Sequence, residues 1–185
     1  MTKCKVCRAE FQKRSMTHKV CSPECAEALS KIEREKKRLR AERDQRKDTK
    51  QRLEALKTIS DYAAETQTVF NKWIRMRDWQ AGHGCISCGT RKNVQYAAGH
   101  FRSRGASSAL RFNEDNVFLQ CNKKCNKELS GNSNEMRKGI IKRIGIERFE
   151  AVDNHNEVKH WTRDELLTIK SDYAARIKAL EAQIE

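Results

Sequence analysis

Eight cysteines stand in four close pairs, Cys4 with Cys7, Cys21 with Cys25, Cys85 with Cys88 and Cys121 with Cys125, and none is left over. Two thiolates separated by two or three residues reach one tetrahedral zinc ion, so the pairs group by proximity into two quartets that each hold a zinc. The competing reading is redox pairs. Disulfides belong to exported chains, whereas the start MTKCKVCR lacks the apolar core of an export signal and cytosolic thiols are held reduced. Four thiolates close the coordination sphere and leave no position for a substrate or an activated water, so both zincs are expected to be structural.

Chemistry then falls to side chains framed by the second two pairs, His100 and Asn116 between them and Asn126 directly after the last cysteine. A neutral imidazole at His100 can take a proton from water as the water attacks a phosphate, its ordinary pKa being near the working pH. Arg102, Arg104, Arg111, Lys123 and Lys124 supply cations for phosphate oxygens around it. Each residue also has a plainer reading: His100 as a structural histidine, Asn116 as the holder of a turn, Asn126 as a helix cap, the arginines as solvated charges. His83, two residues before Cys85, is given no zinc role because four thiolates suffice.

The elements that must position these groups are legible from pattern. The fold class expected is α+β and mostly helical. Residues 1–29 read as a zinc module in which Ser22 caps a helix, Pro23 suits its first turn and Val6, Phe11, Val20 and Leu29 make a sparse core. Residues 30–58 hold no Gly or Pro and alternate charges of both signs, the pattern of a long basic helix with too few apolar residues for a coiled coil. Residues 59–150 run helix, knuckle, hairpin, knuckle, helix: Tyr62, Val69, Phe70, Trp73, Ile74 and Trp79 form an apolar face, NVQYAAGHF and NVFLQ read as strands around a loop, and Met136, Ile140, Ile141 and Ile144 line a helix that Gly145 ends. Within 151–185, Thr162 and Glu165 make a capping box before a stripe of Leu166, Ile169, Tyr173, Ile177, Leu180 and Ile184. That stripe either packs on the preceding module or pairs with a second copy of the chain, and a homodimer is the expectation favoured.

The chain has 185 residues, 39 Lys and Arg against 25 Asp and Glu, a formal charge of +14 and a pI near 9.6. This balance points to a polyanionic partner, nucleic acid first, with strongly salt-dependent binding. No stretch approaches the roughly 18 consecutive apolar residues of a spanning helix, so no membrane partner and a cytoplasmic location are expected.

The segments CISCG, GHF, SRG, LRFNEDNV, QCNKKCN and LSGN resemble the HNH endonucleases, and more closely the NinG or Rap recombination proteins of lambda-type phages, over roughly residues 60 to 150. The resemblance implies an HNH-like ββα core clasped by a Cys4 zinc, and metal-dependent hydrolysis of DNA with one Mg²⁺ or Mn²⁺. It also implies branched substrates such as D-loops and Holliday junctions, and the host cytoplasm as the place of action. His100 would match the general base, Asn116 the asparagine that orients the base loop, and Asn126 a metal-binding position. Many HNH enzymes carry a ligating Asp or His immediately before the base histidine, where this chain has Gly99. The cation would then be held by Asn126, Glu114, Asp115, Asn132 or the substrate phosphate, or His100 itself is the ligand. A regulator that binds DNA or RNA through zinc fingers without catalysis is the alternative from another class.

Overall fold

The computed structural model describes residues 1–183 and forms two compact units, Met1–Lys57 and a second from Thr58 onward. In the first, strands β1 (Thr2–Lys3) and β2 (Glu10–Phe11) pair antiparallel and lead to helix α1, Pro23–Ala55. Ser22 caps α1, its side chain accepting from the Cys25 amide at 3.3 Å, and Pro23 opens the helix where no amide partner is needed. No residue of α1 is buried. The helix stands on propensity and on pairs one turn apart, Lys31 with Glu27, Arg46 with Glu42 and Arg52 with Asp48. Of the expected small core only Val20 is buried, joined by Cys4; Val6, Phe11 and Leu29 are only partly covered. A unit with so little apolar burial lacks the usual driving force for folding.

The second unit is built around a hairpin. Strand β3 (Tyr96–His100) pairs antiparallel with β4 (Val117–Cys121), with Gly99 opposite Phe118 and His100 opposite Val117. All of β4 is buried because both its faces are covered. Val117 packs with Phe70 and Ile74 of helix α2 (Ile59–Gln80) and with Leu166, Tyr173 and Ile177 of α5 (Arg163–Glu181). Phe118, its neighbour in sequence, points the other way, as strand alternation requires. It packs with Met136 and Ile140 of α3 (Ser133–Ile144) and Phe149 of α4 (Ile146–Asp153).

The apolar stripe of α5 is thus spent inside the chain, chiefly against α2. Of the two destinations expected for the stripe, packing within the chain is the one observed: Leu166, Tyr173 and Ile177 are buried. Ile184 lies outside the described residues. The loop expected between the strands contains a 3-10 turn, Ala109–Phe112, that sends Leu110 and Phe112 inward. Helix α4 was not anticipated. Trp79, expected on the buried face of α2, is 44% exposed.

One carboxylate joins these layers. Asp78, in the last turn of α2 and 2% exposed, accepts from the Leu119 amide of β4 at 2.7 Å, from Arg143 of α3 at 3.1 Å and from Arg77 at 2.8 Å. Arg77 donates in turn to the carbonyls of Glu114 and Val117, and the Glu114 carboxylate receives Tyr173 and Arg176 from α5. Removing one partner of such a buried network leaves the others desolvated, at a cost of about 3 to 5 kcal/mol. Asp78→Ala is therefore expected to destabilise the second unit by about 3 kcal/mol or more, read by denaturant unfolding. An effect below about 1 kcal/mol would show that the network is not a structural hub.

Candidate functional site

Both quartets form. The sulfurs of Cys4, Cys7, Cys21 and Cys25 lie within 4.8 Å of one another, and so do those of Cys85, Cys88, Cys121 and Cys125. The two knuckles share one construction. In the first, the Cys4 amide donates to Ala9 O and the Arg8 amide to Cys4 O; in the second, Cys85 donates to Thr90 O and Gly89 to Cys85 O. The residue after each second cysteine takes a positive φ, 63° at Arg8 and 70° at Gly89, so the first knuckle accepts a strained side chain where the second has glycine. Backbone amides point at the sulfurs: Val6 at Cys4 and Cys125 at Cys121, each at 3.4 Å, contacts that favour thiolate.

Without a cation the four sulfurs ionise unevenly. Burial opposes the Cys4 thiolate, but surrounding backbone amides outweigh it and bring the pKa down to about 6. Hydrogen bonding with Cys7 and Cys25 pushes Cys21 up to about 12. A closed set of four sulfurs at this spacing, half of them resisting ionisation alone, fits a metal ion such as zinc. His83 stays outside the second quartet.

His100 ends β3 and opens onto a polar cleft of about 350 Å³, where it meets Asn126, Arg104, Ser130 and two residues of α2, Gln67 and Asn71. Its Nε2 lies 3.1 Å from the Arg111 carbonyl. A carbonyl only accepts, so the contact is a hydrogen bond when Nε2 carries the proton, which leaves the lone pair of the neutral ring on Nδ1. Burial lowers the His100 pKa; the Arg111 and Ala98 carbonyls counter this, and the guanidiniums of Arg104 and Arg111 add to it. The net direction is down, so the ring is neutral at neutral pH.

Asn116 is fully buried and ties down the loop behind His100. Its Oδ1 accepts from the Arg102 amide at 2.7 Å, and its Nδ2 donates to the carbonyls of Arg102 and Leu110 at 3.0 and 3.1 Å. Asn126 lies inside a π-helical segment, Asn122–Glu128, donating to Asn122 Oδ1; the N-cap of the next helix is Asn132. The arginines divide. Arg104 is exposed beside His100, but Arg111 is spent on Gln67 Oε1 and Ala63 O, and Arg102 on Asp153 O and Asn156. Lys123 and Lys124 line another cleft, of about 780 Å³, with Cys88 and Cys121. The carboxylates considered as cation ligands are engaged elsewhere, Glu114 with Arg77 and Arg176 and Asp115 with Arg148. Gln67 and Asn71 reach the cleft from α2, and only the helical register that buries Phe70 and Ile74 puts them there.

A family model described as "Bacteriophage Lambda NinG protein" matches residues 1–183. The protein ninG of Escherichia phage lambda is 37% identical over 185 residues, covering 94% of this chain and 89% of its own length. The protein ninG of Salmonella phage P22 is 36% identical over 94% of this chain and 90% of its own length. That of Escherichia phage 933W is 36% identical over 96% and 92%. The chain belongs to the NinG family. No solved structure matches it.

In this NinG-family chain the position before His100 is closed to a side chain. A Cβ on Gly99 would lie 2.4 Å from Gln120 Oε1 and 3.1 Å from Gln120 Cβ. Gln120 cannot easily retreat, because its Nε2 donates to Ser87 Oγ at 2.7 Å and Gly131 O at 2.6 Å. Gln120 Oε1 itself is buried without a partner among the described residues. Gly99 is thus set by packing on the α3 side of the hairpin, the face opposite that of Ala98 and His100.

Metal loading is expected to reach about two ions per NinG-family chain, because each quartet is complete. A strong chelator is expected to unfold residues 1–29 while the second unit keeps much of its helix, which has its own core. Amide NMR during chelation checks this; a first unit that stays folded without metal would contradict the fit.

Proposed function

We propose that this NinG-family chain is an HNH-type endonuclease that hydrolyses DNA phosphodiester bonds in branched recombination intermediates, with zinc as the structural metal of both quartets. The observation that carries the reading is His100: a ring held by a carbonyl, neutral at neutral pH, in one polar cleft with Asn126 and Arg104. The antiparallel hairpin with a helix after it, clasped by the second quartet, supports it, as does the resemblance of the GHF and QCNKKCN segments to HNH enzymes.

In this reading His100 takes a proton from water, and the water oxygen bonds to phosphorus as the bond to the leaving 3′ oxygen breaks. The Arg111 carbonyl stabilises the imidazolium that forms, and Asn116 holds the loop that carries that carbonyl. Arg104 faces the charge that grows on the non-bridging oxygens, with the Asn126 amide beside it. The donor set suits a resident Mg²⁺ or Mn²⁺ poorly. Among the described residues lining the cleft there is no carboxylate, and these hard cations are held by one or two carboxylates together with phosphate oxygens. A divalent ion that assists cleavage would arrive with the DNA.

That absence favours a second reading, a DNA- or RNA-binding regulator without catalysis. A labelled four-way junction, a D-loop and a linear duplex, each with Mg²⁺, Mn²⁺ or EDTA, separate the two. The nuclease reading expects branched substrates to be cut and His100→Ala to lose about 10² to 10⁴ in rate. Cleavage that survives the alanine change removes His100 from the chemistry; tight binding with no cleavage under any cation selects the regulator. The pH profile adds a check with a fixed sign. A base whose pKa is lowered stays neutral below the ordinary 6.5, so the acidic limb of kcat/KM is expected below pH 6.5. A limb above that value would contradict the assignment.

A further inference from the structure

One face of α2 repeats every fourth residue, Gln67, Asn71, Arg75 and Trp79, a ridge that an α-helix presents along one side. Gln67 and Asn71 line the His100 cleft together with Ala98. Arg75 and Trp79 line a second, mainly apolar cleft of about 350 Å³ together with Tyr96 and Leu119. Tyr96, Ala98 and His100 alternate onto the same side of β3. The ridge and the strand therefore form the two walls of one groove. At 1.5 Å per residue, Asn71 and Trp79 stand about 12 Å apart along it.

The far end of this groove has the chemistry of a nucleotide. Trp79 is 44% exposed, with the Arg91 guanidinium 5.0 Å from its ring and Tyr96 tilted against it at 5.6 Å. Arg75 is half-buried, burial works against its charge, and among the described residues no carboxylate pairs with it. The other cation on this wall, Lys72, is already tied to Glu181 at 2.8 Å. A half-buried guanidinium without a counter-ion among the described residues, beside an indole that is 44% exposed and carries Arg91 over its ring, offers one anion site and a cation-backed stacking surface.

We infer that this end of the groove binds an unpaired nucleotide of a DNA strand, its base stacked on Trp79 and its phosphate on Arg75, while the same strand continues past Asn71 toward His100. The inference rests on the DNA-binding reading above and supplies its branch selectivity. Unpaired bases exist at forks and displaced strands, whereas a continuous duplex keeps its bases stacked inside.

Binding is measured by fluorescence anisotropy in EDTA with the zinc-loaded full chain, so that cleavage plays no part. The probes are a forked duplex with a single-stranded arm, a single-stranded oligonucleotide and a blunt duplex. Trp79→Ala is expected to weaken the first two by about five- to a hundredfold and the blunt duplex by less than twofold, with Trp79→Phe regaining most of the loss. Arg75→Ala is expected to lower the slope of log affinity against log salt by about 0.7 on the single strand. Equal losses on all probes, or none, overturn the inference while leaving the nuclease reading standing. Trp79-dependent binding by a chain that never cuts supports the inference and rejects the nuclease. A wild-type chain that ignores every DNA but binds anionic lipid vesicles through Trp79 overturns both.

Discussion

A carboxylate shut away from water needs donors on every side, and Asp78 finds them in three elements at once. Its oxygens receive a strand amide from β4, a guanidinium from α3 and another from its own helix. Because the Leu119 amide belongs to the edge of a two-stranded sheet, Asp78 also closes an edge that would otherwise be open, while the Ile86 amide of the knuckle takes the Leu119 carbonyl at 2.8 Å. The hairpin is therefore fixed in height against α2 by one side chain and one backbone bond. His100 inherits its place from that fixation, and so does the groove between α2 and β3.

The two units solve the problem of stability by different means. From Thr58 onward two apolar clusters sit on opposite faces of β4, and a metal ion on the second quartet would add to a structure that already has a core. Before Lys57 burial ends with Cys4 and Val20, so a metal ion on the first quartet would supply much of what folds it. The shared knuckle geometry makes the contrast sharper. The same turn is used twice, once against a hydrophobic interior and once with almost nothing behind it.

Much of this was legible in the amino-acid sequence. Cysteine spacing located both quartets, Ser22 and Thr162 located helix starts, and the segment NVFLQ located β4 to within one residue at each end. These signals are local, carried by residues within a turn of one another. What remained hidden depends on distance along the chain. The α5 stripe reads identically whether it meets α2 or another copy, and only the tertiary structure gives it to α2. Arg102 and Arg111 look like free cations until Asp153, Asn156 and Gln67 arrive from more than 40 residues away. Glu114 and Asp115 look like ion ligands for the same reason, and arginines from other elements have claimed them.

The contact between Gly99 and Gln120 limits how the α3 face of the hairpin, behind the cleft, can change over generations. A carboxylate gained at position 99 collides with Gln120, and a smaller residue at position 120 releases Ser87 and Gly131 before any ligand exists to benefit. Each single step is unfavourable, and only the double replacement opens space and fills it. The two positions are therefore expected to vary together or not at all. A lineage that begins with this pair keeps that face closed, and cation binding near His100 falls to the cleft's own residues or to the DNA itself.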